Sequence, residues 1–257
     1  MKTALPSVIR DLQTRRGRER RGRTLIEGVR LVEDVRAAGV VLHGAAIAPS
    51  LEGTPRGAAL KRDLEAAAVP LSAVSEDELA TLADTEHPQG IVAVVDLPGA
   101  ALETLRPTAE CPLLVLDAVQ DPGNVGTMLR TALALGASGV ILLDGSVELG
   151  NPKVLRASMG AAFRVPVVAM TAQAFIAWAE EQALELWAAD MHGDPAHHAP
   201  RAGRPVALVL GNEGAGLRPA LASAAARTVR IPIASGAESL NVGVAAAILL
   251  YELRRGC

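Results

Sequence analysis

The sequence predicts an α/β protein in two parts: a small N-terminal α/β domain and a larger C-terminal α/β domain on a mostly parallel sheet. Three observations carry this. Short apolar runs alternate with helix-length segments along the chain, the pattern of strands joined by crossover helices. Three C-terminal stretches, Leu116–Leu143, Ala207–Leu217 and Ile231–Leu250, share one design of apolar strand, Gly-rich turn and helix. Between the parts, Leu97–Pro112 carries three prolines and a glycine and reads as a linker. The expected boundaries are 1–96, 97–112 and 113–257.

Composition bounds the answer without naming a function. The 257 residues are 50% hydrophobic but only 2% aromatic, so Ala, Val, Leu and Ile must build the core. Cys111 and Cys257 form neither a metal spacing nor a disulfide framework, which fits a reducing compartment. The first twelve residues lack the apolar core of a signal peptide, and no run of about eighteen apolar residues predicts a membrane span. A cytoplasmic protein is expected. The net charge of −3 does not announce nucleic acid, yet Met1–Arg36 holds ten basic residues against five acidic ones. Arginine far outnumbers lysine, which suits bidentate phosphate contacts, although biased codon usage gives the same count.

In chain order, RRGRERRGR (Arg15–Arg23) reads as a solvated, mobile segment, because six neighbouring arginines repel one another. It is either an RNA-phosphate contact or a charged surface turn. Thr24–Gly39 is a strand end turning into a helix, with Leu31, Val32 and Val35 on one face and Gly39 as its cap. VVLHGAAIAP is a strand, Pro55–Ala68 a helix and VPLSAVS a strand. Ser75 with Glu78 spaces a capping box for a helix ending near Ala83. Gly90–Val95 is the last strand of this part. All aromatic residues lie beyond residue 160, so the N-terminal domain has no ring on which a base can stack. Any RNA it binds is held by shape, phosphate and backbone contacts.

Pro112–Val119 opens the second part as a buried strand. The helix after Pro122 turns Met128, Leu129 and Leu133 inward. Gly139–Leu143 is a strand, Asn151–Met159 a helix, Val165–Ala169 a strand and Thr171–Ala183 a helix. LELWAAD and PVALVLG are strands. MHGDPAHHAPRAGRP between them reads as a solvent loop; His192, His197 and His198 lie there without a cysteine, and no metal is expected. GNEGAG reverses the glycine order of a dinucleotide fingerprint, and no phosphate-loop Gly-Lys-Ser/Thr occurs, so an oxidoreductase or NTPase is disfavoured. The last helix, VGVAAAILLY, has no charge in nearly three turns. That predicts a second buried surface beyond the usual single stripe, with Ala246 as an outward position.

Asn124 and Arg130 in DPGNVGTMLRTA, the segment GNEGAGL (Gly211–Leu217) and IPIASGAESLNVGVA (Ile231–Ala245) together resemble the three ordered motifs of the SpoU/TrmH group of SPOUT methyltransferases. NPKVLRASMGAAFRVPV is similar to that family's middle segment. TLIEGVRLV and EHPQGIVAVV resemble the substrate-binding domain often fused to it, which has a ribosomal-protein-like fold. The resemblance implies a trefoil knot, S-adenosylmethionine as cofactor, and an RNA ribose 2′-hydroxyl as acceptor. It favours 23S ribosomal RNA over transfer RNA, and pairing as a homodimer through the C-terminal domain.

Cofactor contacts carry over to Leu210, Gly211, Asn212, Gly214, Ile231, Pro232, Ile233 and Leu240, largely through backbone, although Ile231 and Leu240 serve equally as core. At the acceptor the resemblance implies Asn124, Arg130, Glu213, Ser239 and Asn241. A guanidinium stays protonated, so Arg130 is read as a phosphate clamp and not as a base. Asn124 would hold Arg130 or the ribose. Glu213, the carboxylate of GNEGAGL, is either the base or a partner of the turn amides or Asn124. Ser239 is either an acceptor contact or simply the helix N-cap. A non-catalytic RNA-binding protein of the same fold is the alternative; the full set of polar residues opposes it.

Overall fold

The computed structural model describes residues 4–198, 203–236 and 238–254. The chain divides into two compact units: residues up to Pro98 with Leu149–Phe163, and Glu148 back to Gly99 with residues from Arg164 onward.

The first unit carries a four-stranded sheet, β1 (Arg23–Glu27), β2 (Leu42–Ile47), β3 (Leu71–Ala73) and β4 (Ile91–Asp96). Their order is β1-β4-β2-β3, with β4 antiparallel to both neighbours and β2 parallel to β3. Helices α1 (Leu5–Leu12), α2 (Arg15–Arg21), α3 (Val29–Ala37), α4 (Pro55–Ala66) and α5 (Glu76–Leu82) complete it. Ile9, Leu12, Leu25, Leu79, Leu82 and Val94 form one core. Ser75 caps α5 by accepting from the Glu78 amide, as its spacing predicts.

The arginine run differs from expectation. It is the helix α2, capped by Thr14 and closed by left-handed Gly22. Arg18 is buried and donates to the Leu12 and Gln13 carbonyls at the end of α1. Arg20 and Arg21 both bind Asp11, and Arg15 binds Glu19. Opposite charges and unpaired helix-end carbonyls absorb the repulsion that argued for a loose segment.

The second unit holds β5 (Leu113–Leu116), β6 (Gly139–Leu143), β7 (Val167–Met170), β8 (Glu185–Pro195), β9 (Val206–Leu210) and β10 (Arg227–Arg230) in one sheet. The order is β10-β8-β9-β5-β6-β7, and every pair is parallel. β5, β6 and β9 are buried throughout, so their sequences read as continuous apolar runs rather than alternating ones. Helices α6 (Pro122–Ala134), α8 (Ala172–Glu181), α9 (Pro219–Ala224) and α10 (Val242–Arg254) surround the sheet. Phe175 sits in the core with Leu113, Val115 and Ile141. Residues 97–112 are no free spacer: Leu97 bonds back to Gly22 in the first unit, while buried Leu105 joins the core of the second.

The remaining helix, α7 (Pro152–Ser158), lies in the expected catalytic stretch of sequence yet packs in the first unit. The Thr24 hydroxyl donates to the Gly150 carbonyl, and Arg156 pairs with Glu27 at 2.6 Å and Asp84 at 3.0 Å. α10 brings another correction. Ala246 is fully buried, and the outward stripe is Val244, Ile248 and Tyr251, spaced i, i+4, i+7.

Candidate active site

In the second unit, the carboxyl ends of β8, β9 and β10 open onto a cavity of about 440 Å³. The ends of parallel strands, beside the point where strand order reverses, are where such sheets bind ligands. Loop backbone lines much of the cavity, and each stretch has a local reason for its shape. After β9, Asn212 and Gly216 exchange backbone hydrogen bonds at 3.0 Å, closing a tight turn. The Asn212 side chain locks that turn: its oxygen accepts from the Gly214 and Ala215 amides, and its nitrogen donates to the Ala118 carbonyl. Gly211 has no room for a side chain, since a Cβ would lie 2.5 Å from the Gly216 oxygen and the Leu217 nitrogen.

Gly211→Ala is therefore expected to open the turn. Overpacking of this kind costs about 1–3 kcal/mol, and the displaced loop should weaken ligand binding at least about tenfold by calorimetry.

Of the residues the sequence assigned to a cofactor, Leu210, Gly211, Asn212, Gly214, Ile231, Ile233 and Leu240 line the cavity; Pro232 is not among its lining residues. Glu213, Ser239 and Asn241 line it too. At its edge a hydrogen-bonded chain joins the three motifs. Asn241 donates through Nδ2 to the Asn124 Oδ1 at 2.9 Å, and Asn124 donates through its own Nδ2 to Glu213 Oε1 at 2.9 Å. The amide planes of both asparagines are thereby fixed. Glu213 thus bonds Asn124, as one reading of the sequence held, while the turn amides go to Asn212 instead.

Asn241, not Ser239, caps α10: its side-chain oxygen accepts from the Gly243 and Val244 amides. Ser239 stands two residues ahead of that cap and is exposed. Arg130 is exposed on α6 and is absent from the cavity lining. It follows Asn124 by six residues, which turns it about 120° around the helix from the Asn124–Glu213 contact.

The sequence missed Asp190, Met191 and Arg230, which also line the cavity. β8 continues past the expected strand end to Pro195, and its pairing with β10 jumps from Ala188↔Thr228 to Asp194↔Val229; Ala189, Asp190 and Met191 of the intervening bulge line the cavity. Position at a parallel strand's carboxyl end was the available signal. Asp190 accepts from the His192 amide and from its ring Nδ1; the amide bond first, and the ring with it, hold this carboxyl below the usual carboxylate range. Behind the site, fully buried Asp117 binds Arg218, which also reaches Asp144. The Arg218 bond, then the Ala172 amide, hold Asp144 low as well. Among the described residues no cluster of His, Cys, Asp or Glu could hold a metal.

An all-parallel sheet with a glycine-shaped pocket at its strand ends, bridged by a polar chain from three motifs, defines an α/β domain with a ligand site at its strand ends. The chain belongs to the SpoU rRNA methylase family, which matches residues 112–251; residues 8–93 match the MRM3-like substrate binding domain. The chain is 36% identical over 95% of its length to the 23S rRNA (guanosine(2553)-2′-O)-methyltransferase RlmP of Bacillus subtilis, covering 93% of that protein. It is 30% identical to human mitochondrial rRNA methyltransferase 3, over 98% of this chain and 72% of that one. Among solved structures, the SpoU methyltransferase AviRb of Streptomyces viridochromogenes, in complex with AdoMet, aligns with a TM-score of 0.87 and 30% identity, over 99% of this chain and 98% of that one.

Proposed function

We propose that the protein transfers a methyl group from S-adenosylmethionine to a ribose 2′-hydroxyl of ribosomal RNA, 23S rRNA foremost. The observation that carries this reading is the Asn241–Asn124–Glu213 chain at the edge of the 440 Å³ cavity. The cavity suits the cofactor in size and chemistry. Its volume falls in the range of small-molecule sites. Leu210, Ile231, Ile233 and Leu240 offer apolar walls to a base, Gly211 and Gly214 leave backbone groups accessible, and Asp190 offers a carboxylate to a cationic group. The segments lining it after β9 and β10 are those in which the family resemblance implies a trefoil knot.

S-adenosylmethionine supplies an electrophilic methyl group on a sulfonium. The protein's own residues must then align the acceptor and take up its proton. Glu213 has one carboxylate oxygen tied to Asn124 and lines the cavity, so it is the candidate base. Arg130 clamps the neighbouring phosphate. Asn124 and Asn241 orient Glu213 and the ribose, and Ser239 touches the acceptor or orders its loop. Arg130 lies outside its own chain's cavity lining, which supports a homodimer through the C-terminal domain in which the RNA site is shared.

Ribosomal RNA is favoured over transfer RNA. RlmP and mitochondrial rRNA methyltransferase 3, each matched over nearly the whole chain, are named for rRNA, whereas a structure concerned with C/U34 of tRNA covers only 57% of it, at a TM-score of 0.52. No helix among the described residues is long and apolar enough to cross a membrane, and the cytoplasm is the compartment this reading implies.

Two measurements test the proposal together. Calorimetry should detect S-adenosylmethionine binding. Mass mapping of ribose methylation in a deletion strain should find one 23S rRNA methyl group missing, restored by the intact gene. Lost methylation confined to tRNA would favour the tRNA reading, and absent cofactor binding would favour a non-catalytic protein.

A further inference from the structure

A second cavity, of about 270 Å³, lies wholly within the first unit, where the start of α3, the loop before β4 and the end of α7 meet. It is smaller than typical small-molecule sites and suits a single planar ring system.

Its chemistry selects the ligand. Met159 lines it and ends α7 in the left-handed conformation, at φ 50° and ψ 44°, a region that favours glycine. Despite that strain its side chain stands 42% exposed. A thioether is polarizable and packs well on aromatic rings, and residues 1–98 contain no Phe, Trp or Tyr to do so. Gln89 is the second wall. Its Oε1 accepts from the Val29 amide at 3.1 Å, which fixes the carboxamide plane, and its NH₂ group has no partner among the described residues. Gly28, at φ 92°, allows that approach, since a Cβ there would stand 3.1 Å from Gln89 Oε1.

Charge excludes the obvious alternative. Arg156 is already committed to Glu27 and Asp84, and the formal charges of the lining balance, Glu27 and Asp34 against Arg30 and Arg156, so the cavity offers no net cation to a phosphate. A neutral heteroaromatic ring with hydrogen-bond acceptors is the better match.

We propose that this cavity takes one unpaired nucleobase of the RNA substrate, packed on Met159 and read by the Gln89 NH₂ group. The inference rests on the RNA-methylating function proposed above, and it gives the N-terminal unit a base-reading element that needs no aromatic ring.

The test uses the full chain and an unmodified 23S rRNA transcript. Met159→Gly removes the side chain while relieving the backbone, so its Tm should equal or exceed that of the wild type. S-adenosylmethionine affinity should be unchanged, while KM for RNA rises about five- to tenfold, the low end of what a base-stacking contact contributes. Gln89→Ala should raise the same KM. A photoactivatable side chain at position 159 alone should cross-link to one unpaired nucleotide. Wild-type KM in both variants, or cross-links scattered along duplex, would overturn the proposal. Cross-linking needs no turnover: failure of the wild type to methylate, with the position-159 probe still cross-linking at one nucleotide, refutes the proposed activity and keeps the pocket, whereas methylation by the wild type without a discrete cross-link from the probe does the reverse.

Discussion

Arg130→Ala is expected to lower the rate of RNA methylation at least about hundredfold while S-adenosylmethionine still binds normally. The size of the effect follows from the role. Methyl transfer from a sulfonium needs an in-line acceptor, and a clamp that sets the acceptor's position acts on the rate itself. The independence from cofactor binding follows from placement: Arg130 is exposed on α6, outside the cavity lining. The guanidinium cannot serve as base near neutral pH, so the pH profile of a residual rate should keep the wild-type shape. Arg130→Lys should recover only part of the loss, because the ammonium keeps the charge but not the planar fork.

If Arg130 serves the partner's pocket, Arg130→Ala mixed with Gly211→Ala should regain activity, since one mixed pocket then has both an intact cofactor turn and an intact clamp. Equal inactivity of the mixture and the single variants would refute sharing. An Arg130→Ala variant with full turnover would refute the clamp itself.

The strands that frame the site were legible because burial on both faces writes itself as an uninterrupted apolar run, as in LLVL and VALVL. The motif residues were legible because each follows such a strand through a small-residue turn, and parallel strands bring those turns to one edge. What stayed hidden depended on partners distant in sequence. Arg18 is ordered by carbonyls at the end of α1, and Arg20 and Arg21 by Asp11, so a local sum of like charges misjudged the segment. Arg156 ties α7 to the first unit through Glu27, a contact spanning 129 residues that no periodicity announces. Asp190 was hidden because β8 breaks its pairing with β10 at Ala188 and resumes at Asp194, an excursion set by register and not by residue type. Asn241 and Ser239 are equally good caps by composition; geometry chose Asn241, whose amide also reaches Asn124.

Ile248→Glu is expected to convert a homodimer into monomers that bind S-adenosylmethionine but methylate RNA poorly. An all-apolar helix suggested a second buried surface, and the exposed stripe of α10 is Val244, Ile248 and Tyr251, at 47%, 36% and 55% exposure. Three large apolar groups in line on one helix face form a surface that solvent serves badly, and a symmetric partner presenting the same stripe would cover it. A carboxylate at the centre of that contact would be buried without a counter-ion, a cost of several kcal/mol that should raise the dimer dissociation constant at least about hundredfold. The isolated chain should tolerate the change, because position 248 is partly open to water. Ala246→Glu is the contrasting case: that site is fully buried, so the variant should lose stability rather than merely dissociate. Light scattering separates the two outcomes when paired with thermal melts. The hypothesis fails if the wild type is monomeric at micromolar concentration yet fully active, or if Ile248→Glu remains dimeric with unchanged methylation.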